Sequence, residues 1–531
     1  MKYSDGINWS RIGKIAFFAV LLLFVFALGT LNNTIDVDLW ARLINGQHVF
    51  YKFAPLKTDF YSFTQTHTWY DPEWLSSVFL YVIQKKFSIA GLAFFKSFSF
   101  YVFLCSLVVG LLYLKTKNSP FNIFYFFYIT LICLQIGYLT HSSRCQIFTF
   151  ILLVVWIYLL EKIRQNQDKY LYFLPVIMLF WLNIHGGCLA GIGIYVLYII
   201  GEFLNKKPIK KYLITLIPLA LVFAINPWGI EYYKFIFDSA FLNRAGISEW
   251  ASSFSQIALF LNLFFYYVIF VLISCCYTFF SQKKTLKEVD KTKLLLFIAL
   301  LYLSISHLKH IALALIGFTL YFYDDIQNFA NLITSKINKK FIQVLAILLH
   351  VLIFCYSTLV LCAYSCVDTW QDKFKSYPIY AMEFLKQNDF KGKLFTSFEF
   401  GSFIGYKYGD RFKIFIDGRQ EQVYDHSLFH QLVCFVALAE CNFKNPVEEY
   451  NPDVVLLDNK AIANDYMLSN KKYFLAYKDT VFYVYVLNKY KDKKMVKPIL
   501  DKKEYFNKLF DTYVDFSKGT KNENFNYYSN I

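Results

Sequence analysis

The stretch that decides the fold is IQVLAILLHVLIFCYSTLVL, from Ile342 to Leu361. It contains no Asp, Glu, Lys or Arg, and about 20 such residues in a helix cross the roughly 30 Å of hydrocarbon in a bilayer. Ile15 to Gly29 and Ile123 to Ile136 are further uncharged apolar runs. Runs of this kind predict membrane-spanning helices.

Composition extends this prediction to much of the chain. Its 531 residues are 57% hydrophobic and 21% aromatic, which is too apolar for one water-soluble globule. The first run follows Lys2, Arg11 and Lys14 and lacks a small-residue cleavage site before Asn32, so it is interpreted as a retained span. Apolar windows predict a polytopic α-helical membrane protein of about eleven spans, near residues 14–31, 90–113, 120–139, 146–161, 170–184, 187–204, 211–225, 257–280, 294–306, 310–323 and 341–366.

The charge distribution predicts how these spans are oriented. The formal net charge is +16, but the tail from Asp368 onward holds 24 Lys or Arg against 22 Asp or Glu. The excess of Lys and Arg therefore lies in the apolar part of the chain, where these residues are expected to orient the spans and to contact anionic membrane lipids. Nucleic-acid binding is not predicted. A cytoplasmic N-terminus puts 20 basic residues in cytoplasmic connections and 9 in the external ones before the tail. This predicts an extracytoplasmic tail.

The predicted domains are a transmembrane domain over 1–367 with a long first external loop (31–89), an extracytoplasmic α/β domain over 368–500, and a polar tail over 501–531. An apolar helix candidate in the loop, Trp74 to Phe87, is expected to lie along the membrane interface. Three strands are predicted in the α/β domain, at residues 394–397, 413–416 and 453–457. Cys434 and Cys441 form a disulfide if they face an oxidising compartment; two free thiols are the alternative.

Polar side chains of the external connections include the strongest candidates for chemistry. Asp36, Glu73, Arg144 and Lys309 are predicted to line one external cavity, because ionisable groups at a lipid boundary are costly and usually face a cavity. External loops are polar in any membrane protein, which is the ordinary explanation. Further polar residues of these connections are Asp38, His67, Asp71, His141, Asn183, His185, Asn226, Glu249, His307 and His310.

The most informative polar stretch is Thr34-Ile35-Asp36-Val37-Asp38-Leu39-Trp40, directly after the first predicted span. Two carboxylates at positions i and i+2 bind a divalent cation, or one of them takes a proton from an attacking hydroxyl. A helix N-cap is the ordinary alternative for Asp36 or Asp38.

This stretch resembles the first-loop signature of membrane glycosyltransferases of the GT-C fold, in a bacterial subgroup. The resemblance continues through residues 36–46, 58–63, 69–75, 183–187 and 226–229. In the tail, Thr396 to Ile404, followed by Ile416-Asp417-Gly418-Arg419, resembles the Trp-Trp-Asp-Tyr-Gly segment of oligosaccharyltransferase catalytic subunits. Phe398 and Glu399 stand where that segment has Trp and Asp.

The resemblance implies an inverting glycosyltransferase of the bacterial inner membrane. Its donor would be a polyprenyl-phosphate or polyprenyl-pyrophosphate sugar, and its acceptor a lipid, glycan or protein. The implied residues are Asp36, Asp38 and Glu73 for catalysis, Arg144, Lys309 and His310 for the donor phosphate, His67, His185, Asn226 and Glu249 as cavity lining, and Glu399, Asp417 and Arg419 in the tail. A divalent cation (Mg²⁺ or Mn²⁺) on Asp36 and Asp38 is an open possibility, and a packed helix end is the alternative for His185.

Two other classes of function remain. A lipid or polysaccharide transporter is disfavoured because Lys96 is the only Lys or Arg well inside a predicted span. A non-catalytic scaffold would have no need of the first-loop acids.

For the tail, we expect the Ser397 to Gly401 segment to form a tight turn that presents Glu399 over the cavity, with Asp417-Gly418-Arg419 as a second charged turn. Ordinary strand ends on a solvated domain are the alternative.

Overall fold

The computed structural model describes residues 19–20, 23–24, 26–27, 37–65, 68–114, 144–242, 248–254, 259–363 and 376–496. The chain divides into two compact units, here named the helical unit (Met1–Asn33 with Phe94–Cys366) and the mixed unit (Thr34–Ala93 with Val367–Ile531). The first external loop, which was predicted as part of the transmembrane domain, thus groups with the tail. The predicted polar tail, 501–531, lies outside the described residues.

Helices occupy most of the described chain up to residue 363. Nine of them coincide with predicted spans; the span predicted at 120–139 lies outside the described residues, and only six positions of the one at 14–31 are described. In chain order the helices are α1 (Leu39–Lys52), α2 (Trp74–Leu114), α3 (Gln146–Arg164), α4 (Phe173–Ile184), α5 (Cys188–Leu204), α6 (Lys210–Val222), α7 (Glu231–Phe241), α8 (Leu259–Ser281), α9 (Lys291–Ser306), α10 (Ile311–Tyr321), α11 (Tyr323–Ser335) and α12 (Lys339–Ala363).

Within the described part of the chain, two helical stretches are long and apolar enough to cross a membrane, Gln146–Arg164 and Phe264–Ser281. Several others are short: the 12 residues of α4 rise only about 18 Å. The count of eleven spans therefore stays a prediction. In Phe264–Ser281 only 28% of the apolar window is buried, and Tyr266, Ile269 and Leu272 are exposed. This helix presents apolar side chains outward, unlike the core helix of a soluble protein.

Helix α2 corrects one prediction. The expected interfacial helix at Trp74 to Phe87 and the expected span at 90–113 form a single helix of 41 residues, so the break expected between them is absent. The junction contains no proline, and the one glycine there, Gly91, costs only about 1 kcal/mol in a helix.

An ion network of buried and half-buried side chains joins one set of helix ends in the helical unit. Arg164, in the last turn of α3, lies 2.7 Å from Glu202 of α5 and also bonds Asp290, the N-cap residue of α9. Because α3 and α5 end here and α9 begins here, their other ends, near residues 145, 187 and 307, are at the opposite side of the unit. The side chains predicted to bind phosphate belong to that opposite side.

The mixed unit is built on a five-stranded sheet with the order β2-β1-β3-β5-β4. Its strands are β1 (Gly392–Phe395), β2 (Phe412–Ile414), β3 (Val454–Asp458), β4 (Tyr473–Lys478) and β5 (Phe482–Leu487). β2, β1 and β3 are parallel, while β5 is antiparallel to β3 and β4. Helices α13 (Ile379–Gln387), α14 (Phe398–Tyr408), α15 (His426–Ala437), α16 (Pro446–Tyr450) and α17 (Ala463–Ser469) complete the unit. The three predicted strands are found within about two residues of their expected positions.

The first loop extends this sheet. Ser62 forms a parallel bridge with Ile414 of β2, and the amide of Phe63 donates to the Ile414 carbonyl at 3.0 Å. Trp40 of α1 donates from Nε1 to the Tyr377 hydroxyl at 3.1 Å and packs against Phe403 of α14. Two segments more than 300 residues apart in the chain thus share one core.

The prediction of a tight turn at Ser397 to Gly401 is wrong. Helix α14 begins at Phe398, and Gly401 lies inside it. A Cβ atom on Gly401 would lie 2.2 Å from the carbonyl oxygen of Ile416, so the glycine permits close packing of α14 on the segment after β2. Elsewhere in this unit, Cys434 and Cys441 form a disulfide.

Candidate active site

The acidic first-loop segment is described from Val37 onward, so Asp36 lies outside the described residues, as do His67 and His141. Asp38 occupies the N-cap position of α1, but its side chain makes no capping hydrogen bond. A Cβ atom on Gly418 would lie 2.0 Å from Asp38 Oδ1. The Asp38 carboxylate therefore lies directly against the Asp417-Gly418-Arg419 segment of the tail.

Glu73 is the second described acid of the predicted catalytic set. Its Oε2 lies 3.1 Å from Nε of Arg42, and Arg42 also bonds Asp71, which accepts a further hydrogen bond from Asn45. Arg42 and Asp71 are buried, whereas Glu73 is partly exposed. Arg42 thus supplies a counter-charge to both Asp71 and Glu73, a role that sequence reasoning missed because one Arg in a predicted loop carries no distinctive signal.

Asp417 and Arg419 do not form an exposed charged turn. Both are fully buried. Arg419 donates to Asp417 and to Asp59, each at 2.8 Å, and to the Tyr424 hydroxyl at 2.9 Å, and it lies 4.7 Å from the centroid of the Trp69 ring. These contacts tie the first loop to the tail from the inside of the mixed unit.

The buried network fixes the protonation of its members. Burial opposes the ionisation of Asp59, but the Arg419 guanidinium and the hydrogen bonds to the carboxylate outweigh it and hold the Asp59 pKa below its ordinary value. Burial likewise disfavours the charged Arg419, yet Asp417 and Asp59 raise the Arg419 pKa well above its ordinary value. Asp59 belongs to the segment 58–63 that resembles the GT-C first loop, but it was assigned no role.

In the helical unit, two predicted residues, Lys309 and His310, lie at the Trp250 ring, and two more, Arg144 and Glu249, form an ion pair at the neighbouring position. Arg144 is 2.6 Å from Glu249, and Lys309 Nζ lies 3.4 Å from the centroid of the adjacent Trp250 ring. The ring of His310 is 5.8 Å from the Trp250 ring, and His307 Nδ1 is 2.8 Å from the Trp250 carbonyl oxygen. We name this set, Arg144, Glu249, Trp250, His307, Lys309 and His310, the Trp250 cluster.

The Trp250 cluster is open enough to meet a ligand. The Arg144 and Glu249 side chains are 33% and 38% exposed, so solvent screens their ion pair. An anion that carries more charge than a carboxylate can therefore compete for the guanidinium. A planar fork of N–H donors and an ammonium group are the usual partners of phosphate oxygens in proteins.

The two remaining described residues of the predicted cavity lining have local roles. His185 Nδ1 accepts a hydrogen bond from the Gly187 amide at 2.9 Å and lies 2.8 Å from Thr149 Oγ1, which agrees with a packed helix end. Asn226 bonds the backbone of its own turn, donating to the Phe223 and Gly229 carbonyls. Neither side chain is part of the Trp250 cluster.

The residues that the structure describes include no group of three or more His, Cys, Asp or Glu arranged to hold a metal ion. Asp36, half of the predicted pair of metal ligands, is not among them. A divalent cation on Asp36 and Asp38 therefore stays a hypothesis.

Glu399, the third tail candidate, lines a cavity of about 340 Å³ within the mixed unit. Its lining combines polar and aromatic side chains. It is lined by Val37, Ser376, Tyr377, Glu399, Phe400, Asp458, Asn459, Lys460, Thr480 and Val481. Val37 places this cavity beside the acidic segment of the first loop.

No protein-family model and no curated protein matches this sequence. The structure is similar to the crystal structure of the Archaeoglobus fulgidus oligosaccharyltransferase in its apo form, with a TM-score of 0.55 and 10% identity over 94% of this chain and 76% of that one. It is also similar to the archaeal oligosaccharyltransferase AglB from Archaeoglobus fulgidus in complex with an inhibitory peptide and a dolichol-phosphate. There the TM-score is 0.52 and the identity 10%, over 86% of this chain and 71% of that one. At this identity the likeness establishes the fold: membrane-type helices followed by a domain built on a sheet.

Proposed function

We propose that this protein transfers a sugar from a polyprenyl-phosphate or polyprenyl-pyrophosphate donor to an acceptor on the extracytoplasmic side of a bacterial inner membrane. The observation that carries the proposal is that Lys309 and His310 lie at the Trp250 ring while the adjacent Glu249 pairs with Arg144, in a fold similar to that of oligosaccharyltransferases. The oligosaccharyltransferase complex with a dolichol-phosphate supports a lipid-linked donor.

The donor phosphate is assigned to the Trp250 cluster. As the bond between the anomeric carbon and the phosphate oxygen breaks, the bonding electrons move to the leaving group and its negative charge grows. Arg144 and Lys309 stabilise that charge, and stabilisation that grows toward the transition state accelerates the reaction. Glu249 holds the Arg144 guanidinium in place until the phosphate displaces it.

The acceptor hydroxyl is assigned to the first-loop acids. Asp36 takes its proton while the acceptor oxygen forms the new bond to the anomeric carbon, a single displacement that inverts the configuration there. Asp38 and Glu73 orient the loop or bind the cation if one is used. If a cation is used, Asp36 and Asp38 would hold it through carboxylate oxygens, and it would act as a Lewis acid.

An extracytoplasmic location is supported by three features. Basic residues are concentrated in the connections assigned to the cytoplasm. The Cys434–Cys441 disulfide suits an oxidising compartment. The outward-facing apolar side chains of α8 suit lipid.

The test is release of labelled sugar from a polyprenyl-pyrophosphate donor by purified full-length protein in micelles, measured as hydrolysis so that no acceptor is needed. We expect wild-type protein to release sugar. Asp36→Ala should lower the rate by at least about 100-fold, the usual contribution of a general base. Arg144→Gln should weaken donor use without unfolding the protein, because that ion pair is exposed.

A scaffold or a transporter would give a different outcome. In either case the wild-type protein would release no sugar, and the Asp36→Ala variant would equal it. Lys471→Gln, an exposed substitution in the tail, serves as the matched control and should behave as wild type.

A further inference from the structure

An aromatic and basic patch lies on the mixed unit, where the end of α1 meets the middle of α2. Lys85 Nζ donates to the Tyr51 hydroxyl at 2.8 Å and lies 4.3 Å from the centroid of the Phe50 ring. This contact joins the end of α1 to α2. We use the name Phe53 patch for the aromatic and basic residues of these two segments, which α2 carries on more than one of its faces: Phe50, Tyr51, Lys52, Phe53, Lys57, Phe79, Lys85, Lys86 and Phe87.

Phe53 is the most exposed large apolar side chain among the described residues. It is 92% exposed, and its φ of 56° is in the left-handed region, where glycine is the favoured residue. On α2, Phe79 and Phe87 are exposed as well. A phenylalanine at a position that suits glycine, with its ring in solvent, gives the folded chain no packing of its own. Its ring is therefore available to a partner.

The charge of the patch identifies the chemistry of that partner. Lys52, Lys57, Lys85 and Lys86 are all exposed. The two segments that form the patch, residues 47–58 and 78–87, contain no Asp or Glu. The two segments thus combine four positive charges with exposed rings, and a complementary partner is anionic at its surface and apolar beneath.

The position of the Phe53 patch along α2 also indicates a partner that is anionic at its surface and apolar beneath. After Phe87 the helix continues through 27 residues to Leu114 with Lys96 as the only charged side chain. Aromatic residues and lysines concentrate at the boundary between a polar and an apolar stretch when that boundary lies at a membrane surface. The Phe53 patch is at such a boundary.

We propose that the Phe53 patch docks on the headgroup region of a bilayer that contains anionic phospholipid, with the lysines bound to headgroup phosphates and the Phe53 ring inserted below them. The proposal rests on membrane embedding but not on sugar transfer. Its test therefore needs no enzymatic activity, and it can fail while the transfer activity stands.

The test measures how phosphatidylglycerol raises the thermal unfolding temperature of the purified full-length protein in a neutral detergent. Phosphatidylcholine and inorganic phosphate are the comparison additives. The variants are Lys85→Gln with Lys86→Gln, and Phe53→Ser. The control pair is Lys471→Gln with Lys472→Gln, because these are also adjacent exposed lysines of the same unit.

We expect phosphatidylglycerol to stabilise wild-type protein and the control pair at lower concentrations than phosphatidylcholine does. The Lys85/Lys86 variant should need about tenfold more phosphatidylglycerol for the same shift, since each lysine near an anionic surface contributes severalfold to binding. Phe53→Ser should weaken the response to both lipids. Without lipid, all variants should unfold near the wild-type temperature, because the substituted side chains are exposed.

Three results would overturn the proposal. The first is that the Lys85/Lys86 variant responds to phosphatidylglycerol as wild type does. The second is that the two lipids stabilise wild-type protein equally. The third is that inorganic phosphate alone reproduces the phosphatidylglycerol shift. The last result would make the patch a site for free phosphate.

Discussion

Removing the guanidinium of Arg419 should be among the most destabilising single changes in the mixed unit. Arg419 is fully buried between the carboxylates of Asp59 and Asp417, each 2.8 Å away, and both carboxylates are fully buried as well. Arg419→Met leaves a side chain of similar length but two buried acids without their cation. Breaking a buried ion pair by removing one partner costs about 3–5 kcal/mol.

The loss of stability in Arg419→Met is set by the two buried negative charges left without a cation, so removing one of those charges should recover part of the lost stability. In the Arg419→Met/Asp59→Asn double variant one of the two buried negative charges is gone. We expect this variant to be more stable than Arg419→Met alone by about 1–2 kcal/mol, a coupling in the range found for residues in one network.

The assay is chemical unfolding of the full chain in detergent, with Arg411→Met as the matched control. Arg411 pairs with Asp389 at the same distance, 2.8 Å, but Asp389 is exposed. An exposed pair contributes about 0–1 kcal/mol, so the control should be nearly neutral. Equal losses in Arg419→Met and Arg411→Met, each under about 1 kcal/mol, would refute the reasoning that burial makes the Arg419 network important.

Two further predictions concern the same unit. Gly418→Ala puts a Cβ atom 2.0 Å from Asp38 Oδ1 and should lower the rate of sugar release at least tenfold; Gly405→Ala, where the nearest atom would be 3.6 Å away, should keep it. Equal rates in the two variants would show that the place of Asp38 does not matter. The Asp59 pKa is held below its ordinary value of 3.8, so the stability that ionised Asp59 adds is complete at neutral pH and is lost as the pH falls through the lowered pKa. The stability advantage of wild type over Asp59→Asn should shrink below about pH 4, and an advantage that stays constant down to pH 2 would contradict this.

Much of the architecture could be predicted because it follows from local patterns of apolar and turn-forming residues in the sequence. Uninterrupted apolar runs predicted the helices of the helical unit, and alternating apolar residues between turn residues predicted β1, β2 and β3. The tight turn at Gly401 was wrong because a glycine permits close packing inside a helix as readily as it permits a turn, and the sequence does not distinguish the two. The break predicted inside α2, between Phe87 and residue 90, was wrong because a change from a mixed to an apolar pattern does not by itself end a helix.

The site was harder to predict because its contacts join distant parts of the chain. Arg144, Glu249 and Lys309 could be grouped because helix order places their connections at one end of the unit. The partner of Arg419 is Asp59, which is 360 residues away, and no local pattern links them. A charged Asp-Gly-Arg segment is predicted to be a surface turn unless the residue that supplies its counter-charge, here Asp59, is known.

The most direct test of the central claim is equilibrium binding of a polyprenyl phosphate to the purified full-length protein. Loss of a charged hydrogen bond costs about 1.5–3 kcal/mol, so Arg144→Gln should weaken binding by about 10–100-fold, and Lys309→Gln by a similar factor. Lys471→Gln should bind as wild type does. Equal affinity in wild type and both cluster variants, or no binding by wild type, would contradict the assignment of the Trp250 cluster to the donor phosphate.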